Sequence, residues 1–303
     1  MNPQALMDGL VAGSMIGLGA VGVTLTYSIL RFANFAHGEF ISWGAYFALV
    51  VAGALGMLFG GLAAPIGPFS FGWALVLATL VAVALNGGLA LLVDALLFGR
   101  LRSSRSSVII MVMASFGAAL TLRSLLEFIF TSQPLYFSKA LQIAMPLGFG
   151  IRATPDQLLS LGVAAALVVA VHLLLSRTAI GRAMRAVSEN PQLAGVAGVE
   201  VRRVVRIVWL LGAALACIAG VSAGLIVQIR PQMGHDLLLP LFAAAILGGI
   251  GSVPGAMVAG LVVGLAEAFA VQLVGAEWRA AIAFVILVLV LLLRPQGLFG
   301  RVE

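Results

Sequence analysis

The sequence predicts an all-α protein, a polytopic transmembrane helical bundle of about eight spans. Three observations predict it. Of its 303 residues, 62% are hydrophobic and 9% charged, against about 25% charged in a soluble globular domain. So few charges could not cover a water-facing surface. The apolar residues gather into runs of about 20, the length that crosses roughly 30 Å of hydrocarbon as a helix. The charges fall in the gaps between runs and form no broad basic face, which argues against a nucleic-acid partner despite the net charge of +6.

The first run covers 9–30. No Lys or Arg precedes it, so the positive n-region of a cleaved signal peptide is missing and the run is expected to be retained. Further spans read near 39–63, 73–98, 108–130, 157–175 and 207–227. A long apolar region, 237–274, follows, and 279–293 closes the series. Loops are short, and 1–303 reads as a single transmembrane domain with two sizeable polar stretches, 131–156 and 176–206.

Orientation follows from the positive-inside rule. Arg31, the group Arg100, Arg102 and Arg105, and the group Arg177, Arg182, Arg185, Arg202, Arg203 and Arg206 are separated by even numbers of spans, so all can be cytoplasmic. The N-terminus is then outside, with Lys139, Arg152 and Arg230 as the outer minority. One helix over 237–274 would put Arg294 and Arg301 on the wrong side. Residues 248–255, GGIGSVPG, resolve the parity, because Gly248, Gly249, Gly251, Pro254 and Gly255 break a helix. Two segments, 237–247 and 256–274, result. The break is either a discontinuous helix at membrane depth, as in a transport pathway, or a wide turn at one membrane face.

Small residues recur every four positions: Gly9, Gly13 and Gly17; Gly212, Ala216, Gly220 and Gly224; Ala256, Gly260, Gly264 and Ala268. Each set lies on one helix face where backbones can approach closely, the pattern of a tight bundle.

Ionisable groups inside a bilayer cost roughly 2.5–3.5 kcal/mol each on insertion scales, so each needs a reason. Arg123 and Glu127 are four apart and can pair. Asp94 can snorkel toward the basic gap, and His172 reads as an ordinary hydrogen-bonded histidine. Glu267 has no partner near it in sequence, so it either lines a pathway or pairs with an arginine elsewhere. The lone cysteine, Cys217, reads as a packing residue.

The stretch NFAHGEF (34–40) contains an H-x-E pair. A zinc deaminase would add a Pro-Cys-x-x-Cys to supply three metal ligands; one cysteine cannot. As a polar turn, Asn34 would cap a helix starting near Ala36, with Glu39 at the positive end of its dipole. As a functional element, Asn34, His37 and Glu39 would form a gate or subunit contact at the cytoplasmic mouth. There is no Ser/His/Asp constellation and no H-E-x-x-H, so no catalytic or metal site is expected.

Four stretches carry a resemblance: YSILRFANFAHGEF (27–40), GRAMRAVSENPQLAGVAGVEV (181–201), ACIAGVSAGLIVQIRPQMGHD (216–236) and AAILGGIGSVPGAMVAGLVVG (244–264), with LLRPQGLFG (292–300) closing the chain. They are similar to the permease subunits of bacterial ABC importers of the branched-chain amino acid type. The resemblance implies a multi-pass protein of the bacterial inner membrane that is not itself an enzyme. ATP and Mg would sit on two cytoplasmic ATPase subunits, consistent with the absence of a phosphate-binding G-x-x-x-x-G-K-[ST] loop here. It further implies a second, different permease subunit, a periplasmic binding protein docking on 131–156 and 228–240, and a membrane-lipid surround.

Arg182, Arg185, Glu189, Asn190, Ala194, Gly195 and Gly198 match the family's coupling loop, placed here at 176–206, whose short helix sits in a groove of the ATPase. The plain alternative is a basic loop that holds topology and anionic lipid. Gate or pathway positions are expected at Asn34, His37, Glu39, Gly248, Gly249, Gly251 and Glu267. Urea and short amides are alternative substrates. A channel or ion-coupled carrier is the rival class, and it would need paired intramembrane acids.

Overall fold

The computed structural model describes residues 3–104, 106–138, 142–148, 150–293 and 297–299. Arg105, Lys139, Arg294 and Arg301, used above for orientation, lie outside the described residues, as does much of the closing LLRPQGLFG stretch. The helices are α1 (Gln4–Leu30), α2 (His37–Leu58), α3 (Trp73–Val93), α4 (Gly99–Ser103), α5 (Val108–Phe130), α6 (Pro155–Arg177), α7 (Ala179–Glu189), α8 (Pro191–Val196), α9 (Val201–Ile226), α10 (Met233–Gly248), α11 (Val253–Val274) and α12 (Arg279–Leu293). A π turn, Asp94–Phe98, joins α3 to α4. Eight helical segments are long and apolar enough to cross a membrane, and α10 is a shorter apolar helix. The outer stretch also holds a small antiparallel hairpin, β1 (Met145–Gly148) and β2 (Ile151–Ala153), which hydropathy does not signal.

Helix α1 is the axis of the bundle. It is buried over most of its length and packs on α11, α9, α10 and α6. The small-residue stripes are what let it do so. A Cβ on Gly13 would fall 2.7 Å from Leu261 Cα, and one on Gly9 2.8 Å from Leu265 Cα. The α1 stripe therefore seats directly on the α11 stripe, with the two helices antiparallel. On the other side, Gly212 of α9 approaches Thr26, and Gly220 of α9 packs on the backbone of Ile41 in α2.

The Gly/Pro segment settles the parity. The Gly251 N–H donates to Thr24 Oγ1 (2.7 Å), so the α10–α11 break lies about 9 Å, six residues at 1.5 Å each, from the end of α1 that carries Arg31. By charge that end is cytoplasmic. Helix α10 runs inward, α11 outward and α12 inward again. A Cβ on Gly251 would also meet Ser28 Cβ at 3.9 Å, one turn nearer that end, so the break is a turn toward the inner end of α1 rather than an interruption at mid-membrane. Its sharpness needs φ values of +87° at Gly249 and +90° at Gly251, which L side chains rarely adopt. The Gly249 N–H donates to Ile246 O (3.1 Å), and Leu298 N–H returns to Leu247 O (2.7 Å).

Some boundaries differ from expectation. Helix α10 begins at Met233 and carries Pro240 inside it, so only 228–232 of the expected outer loop is non-helical. Helix α9 begins at Val201, which moves Arg202, Arg203 and Arg206 from the loop into its first turns. Asp94 reaches the basic gap as expected, accepting one hydrogen bond from Arg102 (Nη2 to Oδ2, 3.0 Å) beside an ion-pair contact between Nη1 and Oδ1 (2.8 Å). Cys217 is buried, and His172 is exposed.

Candidate functional site

The site is built around the α1–α2 connection. Arg31 ends α1 in the left-handed region (φ 56°), and the chain doubles back along the helix it has just left. A Cβ on Gly22 would fall 2.7 Å from the His37 ring, and Gly22 is about 12 Å up α1 from Leu30 at 1.5 Å per residue. Helix α2 therefore starts inside the bundle, not at its inner surface. Non-helical backbone at this depth must be satisfied by protein. Ser115 of α5 does part of this, accepting from the Phe35 N–H (3.1 Å), with its hydroxyl proton shared between Val112 O (2.7 Å) and Ala33 O (3.3 Å). Asn34 does the rest, its Oδ1 accepting from the Ala36 N–H (3.2 Å) and its carbonyl from the His37 N–H (3.2 Å). The polarity of NFAHGEF is the polarity a re-entrant turn needs. The helix starts one residue later than expected, and Asn34 braces the turn without serving as its N-cap.

Helices α5 and α10 each pack on α2 and make little contact with each other, which leaves a groove between them, and this turn is its inner end. Phe35 touches Phe116 of α5 (ring centroids 6.2 Å, edge to face) and Phe242 of α10 (5.3 Å), so three rings close the groove. Asp236, Leu239, Phe242 and Ile246 occupy one stripe of α10 by their spacing. Outward of the rings the groove turns polar. Arg123 and Glu127 lie on α5, with Nε and Oε1 4.0 Å apart. Glu127 Oε1 also accepts from Gln232 Nε2 (3.0 Å), and Asp236 Oδ2 lies 3.9 Å from Arg230 Nη2. Glu39 is 1% exposed, one carboxylate oxygen has no hydrogen-bonding partner, and the charges acting on it are those of Arg123, Glu127 and Asp236.

A second surface lies at the Arg31 end. Helices α7 and α8 form a two-helix unit outside the bundle. Thr178 caps α7 by accepting from the Gly181 N–H (3.1 Å). Asn190 caps α8, its Oδ1 accepting from Gln192 N–H (2.9 Å) and Leu193 N–H (3.0 Å), with Pro191 in the first turn. Gly198, at φ +86°, closes α8 with Val199 N–H donating to Ala194 O (2.9 Å). Gly181, Met184 and Val187 face inward. Arg182, Arg185, Glu189 and the apolar Leu193 and Val196 face out. Arg185 Nη1 donates to Leu175 O at the end of α6. Arg31 Nη2 donates to Ser188 O (2.7 Å) and Glu189 O (2.9 Å).

The structure thus separates the expected gate residues. Asn34 and Glu39 border the groove. His37 is buried between α1 and α9, against Gly22 and Gly212, and its Nε2 has no hydrogen-bonding partner among the described residues. Gly248, Gly249 and Gly251 form the α10–α11 turn. Glu267 is 2% exposed and pairs with Arg279 Nε at the start of α12 (3.3 Å). It sits near Gly9, roughly 15–20 Å along α1 from the level of His37 at 1.5 Å per residue. Among the described residues no His/Cys/Asp/Glu group could hold a metal ion. Sequence reading missed Phe35, Phe116 and Phe242, and used Arg31 only for orientation. On the outer face, Leu135 and Ile229 exchange backbone hydrogen bonds (2.9 and 2.8 Å). They adjoin a cavity of about 220 Å³ lined by Ser70, Tyr136 and Asp156.

Eight helical segments long and apolar enough to cross a membrane, with a two-helix unit outside them, define a polytopic membrane protein. The chain belongs to the family described as the branched-chain amino acid transport system permease component, whose model matches residues 5–291. It is 31% identical to the high-affinity branched-chain amino acid transport system permease protein LivH of Escherichia coli and 31% identical to BraD of Pseudomonas aeruginosa. Each match covers 99% of this chain and 96% of the relative. A probable LivH of Methanocaldococcus jannaschii is 28% identical over 99% of this chain and 93% of its own. Among solved structures, PsaBC from Streptococcus pneumoniae in complex with Fab shares the fold, with TM-score 0.50, 14% identity, and coverage of 96% of this chain and 92% of that one.

Proposed function

We propose that this chain is the permease subunit of an ATP-driven importer for branched-chain amino acids. Hydrolysis takes place on two cytoplasmic ATPase subunits that carry ATP and Mg. A periplasmic binding protein delivers substrate to the outer face near 131–156 and 228–232, and a second permease subunit completes the pathway. The family's relatives named as branched-chain amino acid permeases support the substrate class.

The observation that carries the coupling assignment is the external handle. Helices α7 and α8 are capped at each start, closed by Gly198, and expose Leu193 (67%) and Val196 (89%) beside Arg182 and Glu189. A loop that only held lipid would need basic charge but neither the caps nor the exposed apolar pair. The handle is also bonded to the α1–α2 turn through Arg31, so motion imposed by an ATPase reaches the groove directly. ATP binding would then swing α7–α8 and, through that turn, open or close the phenylalanine layer.

The test is co-purification from membranes in mild detergent, with ATPase activity assayed for wild type and Glu189→Arg. An ATPase that accompanies the wild type and is lost from the variant supports both the importer and the handle. No ATPase with wild type in its native background overturns the importer reading. Urea or a short amide taken up in place of leucine would keep the importer and change its substrate.

A further inference from the structure

The groove holds a second feature that the gate does not use. Phe35, Phe116 and Phe242 form one layer. Glu39, Arg123 and Asp236 lie four, seven and six residues from them, on α2, α5 and α10 respectively. At 1.5 Å per residue along α5 and α10, Arg123 and Asp236 are about 9–10 Å further from the inner face, and Glu39, in the first turn of α2, lies beyond Phe35 in the same direction. Three helices thus bring charge to one level of one groove.

We infer that Glu39, Arg123, Glu127 and Asp236 form this chain's half of a binding site for a zwitterionic amino acid, with Arg123 receiving the carboxylate and Glu39 with Asp236 receiving the ammonium. This inference rests on the importer reading above.

Arg123 is the only arginine in the set, and its ion-pair contact with Glu127 is a long 4.0 Å. The Glu127 oxygen concerned also accepts from Gln232. Most of the five guanidinium donors are therefore left for a bidentate carboxylate. Glu39 is buried with an oxygen that has no hydrogen-bonding partner, an expensive arrangement unless something supplies a donor. The start of α2 favours an acid at its first turn. It does not explain why Arg123 and Asp236 converge on that acid from two other helices. Arg230 pairs with Asp236 at 3.9 Å from the outer rim, at the mouth of the groove. Leu239 lies between Asp236 and Phe242 on the same stripe of α10, so an aliphatic side chain pointing inward meets Leu239 and then the rings. Polar ends outward and an apolar floor inward match an amino acid whose side chain is a hydrocarbon.

The importer with its ATPase and binding protein, reconstituted in proteoliposomes, is assayed for uptake of labelled L-leucine per assembled complex, assembly being counted by co-purified ATPase. Arg123→Gln is expected to lower uptake roughly tenfold or more, as loss of a buried charge-assisted hydrogen bond does. Arg123→Lys is expected to lower it less, and Asp236→Asn several-fold. Uptake by Arg123→Gln within about threefold of wild type overturns the site. If Arg123→Gln does not assemble, Asp236→Asn decides, and unchanged uptake there overturns it. A wild type that brings no ATPase fails the importer reading first, before the site is reached.

Discussion

Arg31 holds the end of Glu189's helix. Its guanidinium donates to the carbonyls of Ser188 (2.7 Å) and Glu189 (2.9 Å). Those are among the last carbonyls of α7, which no intrahelical donor reaches, and a cation there also complements the helix dipole. The same residue, in a left-handed conformation, ends α1 and begins the turn that carries Phe35. One side chain therefore joins the α7–α8 unit to the α1–α2 turn.

Arg31→Ala is expected to uncouple the importer. Arg31 is exposed, so the two bonds are worth about 1 kcal/mol in total, close to a fivefold effect. ATPase association is retained, because the outward face of α7–α8 is untouched, while leucine taken up per ATP hydrolysed falls several-fold. Arg31→Lys keeps one donor and recovers part of the loss. An unchanged ratio in Arg31→Ala would mean that motion enters the bundle elsewhere.

The α10–α11 turn makes a separate prediction about stability. Gly249 has φ +87° and ψ +122°, a region closed to residues with a Cβ. Gly249→Ala should destabilise the protein by about 1–3 kcal/mol, the range for a residue forced into such a conformation. Gly195 is the internal control, since a Cβ there meets nothing within 4 Å. Gly195→Ala should leave the melting temperature in detergent unchanged, while Gly249→Ala lowers it. Equal melting temperatures would show that the turn can relax.

Most of the fold was legible because hydropathy reports directly on lipid contact. Spans, orientation and the need for a break near 248–255 all follow from where Arg and Gly fall. The stripe Gly9, Gly13 and Gly17 was readable for the same local reason, and it seats on α11. The groove was not legible. Phe35, Phe116 and Phe242 are far apart in sequence, and a phenylalanine in an apolar run looks the same whether it faces lipid or a pathway. Arg123 and Glu127 were readable as a local pair, but Gln232 reaches Glu127 only through the fold. His37 is a further case: its polarity suggested a gate, and only the fold shows that it lies between α1 and α9 against Gly22 and Gly212.

Glu267 tests whether a buried charge is there for packing or for passage. Its partner Arg279 is half-exposed at the start of α12, so the pair fastens α12 to the bundle. Arg279→Ala leaves a buried carboxylate unpaired and should cost more stability than Glu267→Gln. The double variant should be less damaged than the sum of the two. Uptake per folded importer should stay within about twofold of wild type in Glu267→Gln, since the ΔΔG of a site away from the pathway falls on folding and not on transport. A larger loss of uptake than of folded protein would return Glu267 to the pathway.

Phe35 carries the most direct test of the gate. Its ring fills the space between Phe116 and Phe242, and it hangs from a turn braced by Ser115. Truncation to alanine removes both aromatic contacts without touching that turn's hydrogen bonds, which are made by backbone and by Ser115. A buried Phe→Ala change costs about 3–5 kcal/mol, less here because Phe35 is only half-buried, so the protein should still assemble. The layer would then be open on one side. Proteoliposomes holding Phe35→Ala, without ATP, should exchange internal for external labelled leucine, which wild type should not. Phe35→Leu, which restores most of the volume, should close the leak. If Phe35→Ala is as tight as wild type, the three rings are packing and the barrier lies elsewhere along the groove.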